Sequence, residues 1–139
     1  MLNPARETPV LELDDGTILT QSNAILWFLG EGTRFLPESS LERAQVAQWL
    51  FFEQERVMTG IGGARFRIVT GRNPELVPAR LELGESALTM LEAHLQGRSF
   101  LVGDSARSRT SRISATRTSL KTLAISLRTS PAWAPGSSA

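Results

Sequence analysis

The segment PVLELDDGTILT, from Pro9 to Thr20, constrains this chain more than any other. Apolar Val10, Leu11 and Leu13 stand around Glu12, Asp15-Gly16 is a hairpin turn signal, and TILT returns as a second strand. A hairpin of two strands is marginal in water by itself. It has to lean on a larger sheet, and the remaining sequence offers no obvious strands to build one.

Length and charge narrow the choice further. A chain of 139 residues, 41% apolar, can bury one respectable core, because a domain of this size hides about two-thirds of its unfolded surface. One or two small domains is the ceiling. No stretch approaches the roughly 18 apolar residues of a membrane span, and MLNPARETP has neither the basic flank nor the apolar centre of a signal peptide, so the chain reads as soluble and cytosolic. With no cysteine and one histidine, thiol chemistry, disulfides and Cys/His zinc sites are excluded. The net charge of +1 hides an asymmetry: nine arginines and all fourteen acids lie at or before Ser105, while five arginines, one lysine and no acid follow it. A basic tail on an acidic body is a common form of nucleic-acid arm.

Helices dominate the middle. In TQSNAILWFLGEG, Gln21 or Ser22 precedes an apolar set of Ile25, Leu26, Phe28 and Leu29, and Gly30 stands where a left-handed cap belongs. The N-terminus of this short helix is an anion site in waiting, although spacing alone favours Ser22 as a simple cap. Ser39 and Glu42 form a capping box ahead of a longer helix with apolar Leu41, Ala44, Val46, Trp49, Leu50, Phe52 and Val57. Gly60, Gly62 and Gly63 are expected to end or bend it, with ARFRIVTGRNPE as a second helical piece. Pro78 suits the first turn of the next helix, whose stripe is Leu81, Leu88, Leu91 and Leu95 and whose end is Gly97. Gly84, inside that helix, predicts a close helix crossing, since a mid-helix glycine costs about 1 kcal/mol relative to alanine.

Catalytic machinery is hard to find. His94, in the last turn of a helix, reads as a partly exposed residue favoured by the helix C-terminus. Glu53 and Glu55 point in different directions on a helix, and Glu53 has Arg56 at i,i+3, which suits surface pairing. Phosphate-loop, dinucleotide and H-E-x-x-H motifs are absent, and GIGGARFR has no strand before it.

The segments NPARETPVLELDDGTILTQSNAILWFLGEG, FLPESSLERAQVAQWLFFEQ and LTMLEAHLQGRSFLVGDS together resemble a cytosolic glutathione S-transferase of bacterial type. The likeness runs from Asn3 to Ser105, about three quarters of the chain. It implies an α+β fold: a partial thioredoxin-like, glutathione-binding domain over residues 1–33, comprising the β-hairpin and a helix, then part of an all-helical C-terminal domain over 39–105. It implies glutathione as substrate, a cis bond before Pro9, and a Thr8 backbone free to bind the cysteinyl part of glutathione like an added strand. Gln21 and Ser22 would take the γ-glutamyl carboxylate. Members of the family are homodimers, and the helices from Leu41 onward would form the acceptor wall and much of the dimer interface.

Departures from the pattern matter equally. Family members carry a strand, helix and strand ahead of the segment matching Asn3, and the serine, tyrosine or cysteine that activates the glutathione thiol ends the first strand; no such segment precedes Asn3 here, and tyrosine and cysteine are absent from the sequence. The expectation is a truncated, inactive transferase with no catalytic residue and no metal ligands. The alternative is a non-catalytic module that binds a protein, or less readily a nucleic acid, through exposed helical faces or the basic tail.

The tail, 106–139, has no apolar period and one sign of charge, and is expected to be disordered. Where the family continues with serine-isoleucine-alanine-aspartate-isoleucine-serine, this chain reads ARSRTSR. Taken from the third base of each codon, the junctions from Ala106 to Arg112 permit that motif in order, and Pro135–Gly136 and Gly136–Ser137 permit the later tryptophan and leucine. The tail therefore reads as an out-of-frame translation that begins near Ser105. Without the helices that the family has there, apolar faces of the remaining ones would stay exposed.

Overall fold

The computed structural model describes residues 2–33, 35–98 and 100–103. The tail and its expected disorder therefore lie outside the described residues.

Strands β1 (Val10–Glu12) and β2 (Ile18–Thr20) form an antiparallel pair in which Val10 faces Thr20, Leu11 faces Leu19 and Glu12 faces Ile18. The turn is the one that Asp15-Gly16 signals. Gly16 takes φ +82°, a left-handed conformation open to glycine, while Thr17 N donates to Asp15 Oδ1 at 2.9 Å. Leu13, expected in the first strand, bonds across the turn to the Thr17 carbonyl instead. No third strand occurs among the described residues. The sheet is thus a hairpin, followed directly by helix α1 (Ser22–Gly30).

Helix α2 (Ser40–Phe52) starts as its sequence predicts, with Ser39 Oγ accepting from Glu42 N at 3.5 Å. Its α-helical part ends at Phe52, ahead of the glycines. The chain passes into a π-helical stretch, Glu53–Gly62, and then α3 (Gly63–Thr70), with right-handed helical dihedrals at each junction. One rod runs from Ser40 to Thr70, and it stops at Gly71, whose φ is +68° and whose N–H reaches the Arg67 carbonyl at 2.8 Å. A short 3-10 turn, Pro74–Leu76, leads into α4 (Val77–His94), with Pro78 in the first turn and Gly97 at φ +70° just past the end.

The reason the glycines do not break the rod is the helix that crosses them. A Cβ on Gly60 would lie 2.5 Å from Gly84 N and 2.6 Å from its Cα, and a Cβ on Gly84 would lie 2.6 Å from Ile61 Cγ1. The two backbones meet where neither has a side chain, and the close crossing predicted from Gly84 is present.

Around it lies the first apolar cluster: Ile61, Ala64, Val77, Leu81 and Leu88, with Ile68 and Leu91 packed on it. A second cluster joins Leu36, Val46, Leu101 and Val102 with Trp27, Trp49, Leu50, Leu91 and Leu95. Leu91 touches both, so α4 holds the two together. His94 is half-buried beside the second cluster. Its Nε2 donates to the Leu101 carbonyl at 2.9 Å and its ring lies 4.5 Å from that of Trp49, so it clamps the FLVG segment rather than merely facing a helix end.

The faces facing solvent depart from the sequence reading. Leu26, Phe28 and Leu29 of α1 are exposed, while Ile25 and Trp27 are half-buried and Gly30 is buried against Leu36. The left-handed glycine that closes this region is therefore Gly32, at φ +68°, and not Gly30. In α2, Leu41 and Phe51 are 68% and 73% exposed, which leaves a substantial apolar surface on the helical rod.

Candidate functional site

The four residues singled out by the sequence converge at one end of the hairpin. Val10 and Thr20 form the last pair of the ladder, so Thr8-Pro9, just before one strand, and Gln21-Ser22, just after the other, are brought to the same open end. The Thr8–Pro9 peptide bond is cis. Thr8 is exposed and lies outside the ladder pairing, which begins at Val10.

The loop that delivers Thr8 is braced by Asn3. Its Nδ2 donates to the Glu7 carbonyl at 2.8 Å, its Oδ1 accepts from Ala5 N at 3.0 Å, and its own carbonyl accepts from Arg6 N. Arg6 takes a left-handed φ of +58° to close this turn. An asparagine that spans five residues of loop fixes the approach of the chain to the cis bond.

Across the open end, Gln21 caps α1 with φ +72° and ψ 116°, and its side chain makes no capping bond. Left-handed φ is unusual for a residue with a long side chain, and it turns the chain sharply out of β2 into the helix. Ser22 is the first helical residue and half-buried, so it is not the cap that spacing favoured. The first α1 bond is from Ile25 N to the Gln21 carbonyl at 3.0 Å. The amides of Ser22, Asn23 and Ala24 thus lack an intrahelical acceptor, and no acidic side chain occupies the first turn. Chemically this end can accept an anion: orphan N–H groups, a serine hydroxyl and the positive end of a helix, with the Thr8 backbone at the same end of the hairpin.

Asn23 fixes the direction of that helix end. Its Nδ2 donates to the Leu50 carbonyl at 2.9 Å and to Glu53 Oε2 at 3.2 Å, tying α1 to the junction of α2 and the π-helical stretch. Glu53 is accordingly half-buried and bonded across elements, where the sequence suggested a surface carboxylate paired with Arg56. Sequence reasoning missed this link. The only signal is a polar residue in the first turn of a helix, and nothing local tells which of many carbonyls it will meet.

Two carboxylates near these elements are perturbed. The backbone N–H of Thr17, with its hydroxyl second, holds Asp15 below its ordinary value. Glu31, just after α1, is lowered chiefly by its hydrogen bonds to Arg43, at 3.1 and 2.8 Å, and Arg43 lies over the Trp27 ring. A cleft of about 480 Å³ opens beside this pair, lined by Glu31, Thr33, Leu36, Pro37, Glu38 and Arg43. None of the four predicted residues lines it. Among the described residues no group of three or more histidine, aspartate or glutamate side chains could hold a metal, and no helix is long and apolar enough to cross a membrane.

Comparison with known proteins points one way. The family model for the glutathione S-transferase N-terminal domain matches residues 1–31. A solved glutathione S-transferase from Pseudomonas fluorescens Pf-5 is 33% identical, with a TM-score of 0.67 over 96% of this chain and 75% of that one. Another, from Xanthobacter autotrophicus Py2, is 41% identical with a TM-score of 0.67 over 75% of this chain and 53% of that one. Among curated proteins, the glutathione S-transferase-like protein LUC7 of Fusarium sp is 34% identical over 113 residues, 73% of this chain and 49% of that protein. Elongation factor 1-gamma of Artemia salina is 29% identical over 103 residues, 73% of this chain and 24% of that protein. The chain thus spans half or less of the length of these two curated relatives.

Proposed function

Because this chain belongs to the glutathione S-transferase family, we propose that it binds glutathione at the open end of its hairpin. The backbone of Thr8, set by cis Pro9, pairs with the cysteinyl part of the tripeptide as an added strand. The α1 N-terminus takes the γ-glutamyl carboxylate, with Ser22 and Gln21 as side-chain partners and the orphan amides as donors. The observation that supports this reading is the ladder ending at Val10–Thr20, next to Thr8-Pro9 on one strand and Gln21-Ser22 on the other.

The family reaction is attack of the glutathione thiolate on an electrophile. Lowering a thiol from about 8.5 toward neutrality requires a donor or positive dipole at the sulfur. The residues of this chain supply contacts for the backbone and the carboxylate, but tyrosine and cysteine are absent from them and no serine stands at the place matching the family's thiol-activating residue. The proposed activity of these 139 residues is therefore binding without thiol activation. The setting is the cytoplasm and the cofactor-like substrate is glutathione. The residue division is a glutathione-binding domain over 1–33 and a helical domain over 39–105.

Exposed Leu41, Phe51 and Met58 on the rod favour a second element of the same reading, pairing with another copy of the chain as in other family members. Calorimetric titration with glutathione tests the binding, and conjugation to a generic aryl halide tests the chemistry. Saturable binding that Ser22→Ala weakens, with conjugation no faster than the uncatalysed rate, is the expected result. Conjugation well above that rate and lost in Ser22→Ala would overturn the assignment of binding without activation; absence of binding would overturn the site.

A further inference from the structure

The stretch from α3 to the first turn of α4 carries a concentration of positive charge that the glutathione site does not use. From Gly63 to Leu81 there are four arginines and one acid, in a body whose other residues up to Ser105 include five arginines and thirteen acids. Two of the four, Arg67 and Arg80, are half-buried and converge on Gly63. A Cβ there would lie 3.5 Å from Arg67 Nη1, 3.5 Å from Arg80 Cδ and 3.8 Å from Arg80 Nε, so the two guanidinium groups approach to within about 7 Å across a notch with no side chain in it.

Both arginines are anchored, and among the described residues no ion pair to either is seen. Arg67 Nη1 donates to the Gly63 carbonyl at 3.0 Å and Arg80 Nη1 to the Thr59 carbonyl at 3.3 Å. Among the described residues the ion pair formed is Arg43 with Glu31, on another part of the surface. Arg67 Nε is buried and has no hydrogen-bond partner. A buried N–H of a cation without an acceptor is uncommon. Like charges at this separation in a partly desolvated notch repel each other, and a doubly charged oxyanion between them would remove that repulsion and supply acceptors for both forks.

We infer that the notch over Gly63, between Arg67 and Arg80, binds the phosphate group of a small phosphomonoester. Guanidinium forks match tetrahedral oxyanions in bidentate geometry, the carbonyl anchors hold both forks in place before the ligand arrives, and the missing Cβ leaves room for the oxygens. The site lies on α3 and α4 and is separate from the hairpin end.

Inorganic phosphate is the probe, added to the full chain at pH 8, where it is a dianion, with chloride at matched ionic strength as reference. The Nε–H resonance of Arg67 should shift saturably with phosphate and not with chloride, while that of Arg43 stays in place. Arg67→Met and Arg80→Met, which keep the apolar stems, should each raise the concentration for half-maximal thermal stabilisation by phosphate at least tenfold. An Arg67 resonance that moves equally with chloride, or does not move, overturns the site, and so does a midpoint unchanged in both variants. The resonance experiment uses the unsubstituted chain, so it decides the matter even where a variant fails to fold.

Discussion

Gly60 and Gly84 touch backbone to backbone, with the position of a Gly60 Cβ only 2.5 Å from Gly84 N. Gly60→Ala gains helix propensity of about 1 kcal/mol and loses more, because the obstacle is main chain that cannot turn aside; overpacking of this kind costs about 1–3 kcal/mol or more. Urea unfolding should show a lower midpoint for Gly60→Ala. Gly84→Ala meets Ile61 Cγ1 at 2.6 Å and Ile61 N at 3.0 Å and should also be destabilising. Gly62→Ala is the control: its Cβ meets only the flexible end of Met58, at 3.3 Å, so the midpoint should hold or rise by up to about 1 kcal/mol equivalent.

His94 gives a second test. His94→Ala removes both the bond to the Leu101 carbonyl and the ring contact with Trp49, whereas His94→Phe keeps a ring and leaves the carbonyl without its donor. A hydrogen bond of this sort contributes about 0.5–1.5 kcal/mol net, so Phe should lose roughly that and Ala more. Equal stability of the three proteins in chemical denaturation would contradict the clamp.

These two clusters also show what the sequence made legible. Periodicity exposed the stripe of Leu81, Leu88 and Leu91, and Gly84 within it announced a crossing. Ser39 marked a helix start and Asp15-Gly16 a turn, because each acts through its own neighbours. Gly60, Gly62 and Gly63 do not stop the helical path, which passes from the π-helical stretch into α3 between Gly62 and Gly63, and the use of Gly60 becomes clear only once the partner backbone is known. Gly30 misled for the same reason: its missing side chain is spent on Leu36, and Gly32 makes the turn. At the candidate site, Thr8, Pro9, Gln21 and Ser22 were legible through family resemblance, and their convergence follows from hairpin register. Asn23 was not legible, because its acceptor, Leu50, lies 27 residues away. The approach of Arg67 and Arg80 depends likewise on the crossing.

Acid titration separates the Glu31–Arg43 pair from the rest. The Arg43 hydrogen bonds lower Glu31 from its ordinary value of 4.5, so its folded value lies beneath the unfolded one. Its stabilising contribution is complete above the unfolded value and fades as pH falls through the folded one. Wild type and Glu31→Gln should therefore differ in melting temperature near neutral pH and converge in acid, with the difference reduced by salt because the pair is exposed. A difference that persists unchanged at pH 2 would rule out the carboxylate charge as its source.

The reading of 106–139 as out of frame makes a prediction at the level of the gene. The coding DNA, read two bases on from the codon after Ser105, should stay open and encode serine-isoleucine-alanine-aspartate-isoleucine-serine first. Early stop codons in that frame would refute it.

Asn23 provides the most direct test of how the site is held. Its amide bonds both the Leu50 carbonyl and Glu53, and it directly follows Ser22, so it sets the angle at which the α1 N-terminus meets the hairpin end. Asn23→Ala leaves the half-buried Glu53 without this donor and should cost about 1–2 kcal/mol in unfolding free energy. Asn23→Asp is the sharper probe: it replaces the donor by a carboxylate facing an acceptor carbonyl and another carboxylate, and should cost more than the alanine near neutral pH. The added Asp is raised by that company, so its penalty should shrink in acid as it protonates and becomes a donor again. If the link serves the site, glutathione affinity measured by calorimetry on folded Asn23→Ala should fall several-fold while Ser22 is unchanged in sequence. An affinity equal to wild type, together with the expected loss of stability, would confine Asn23 to joining the two parts of the fold.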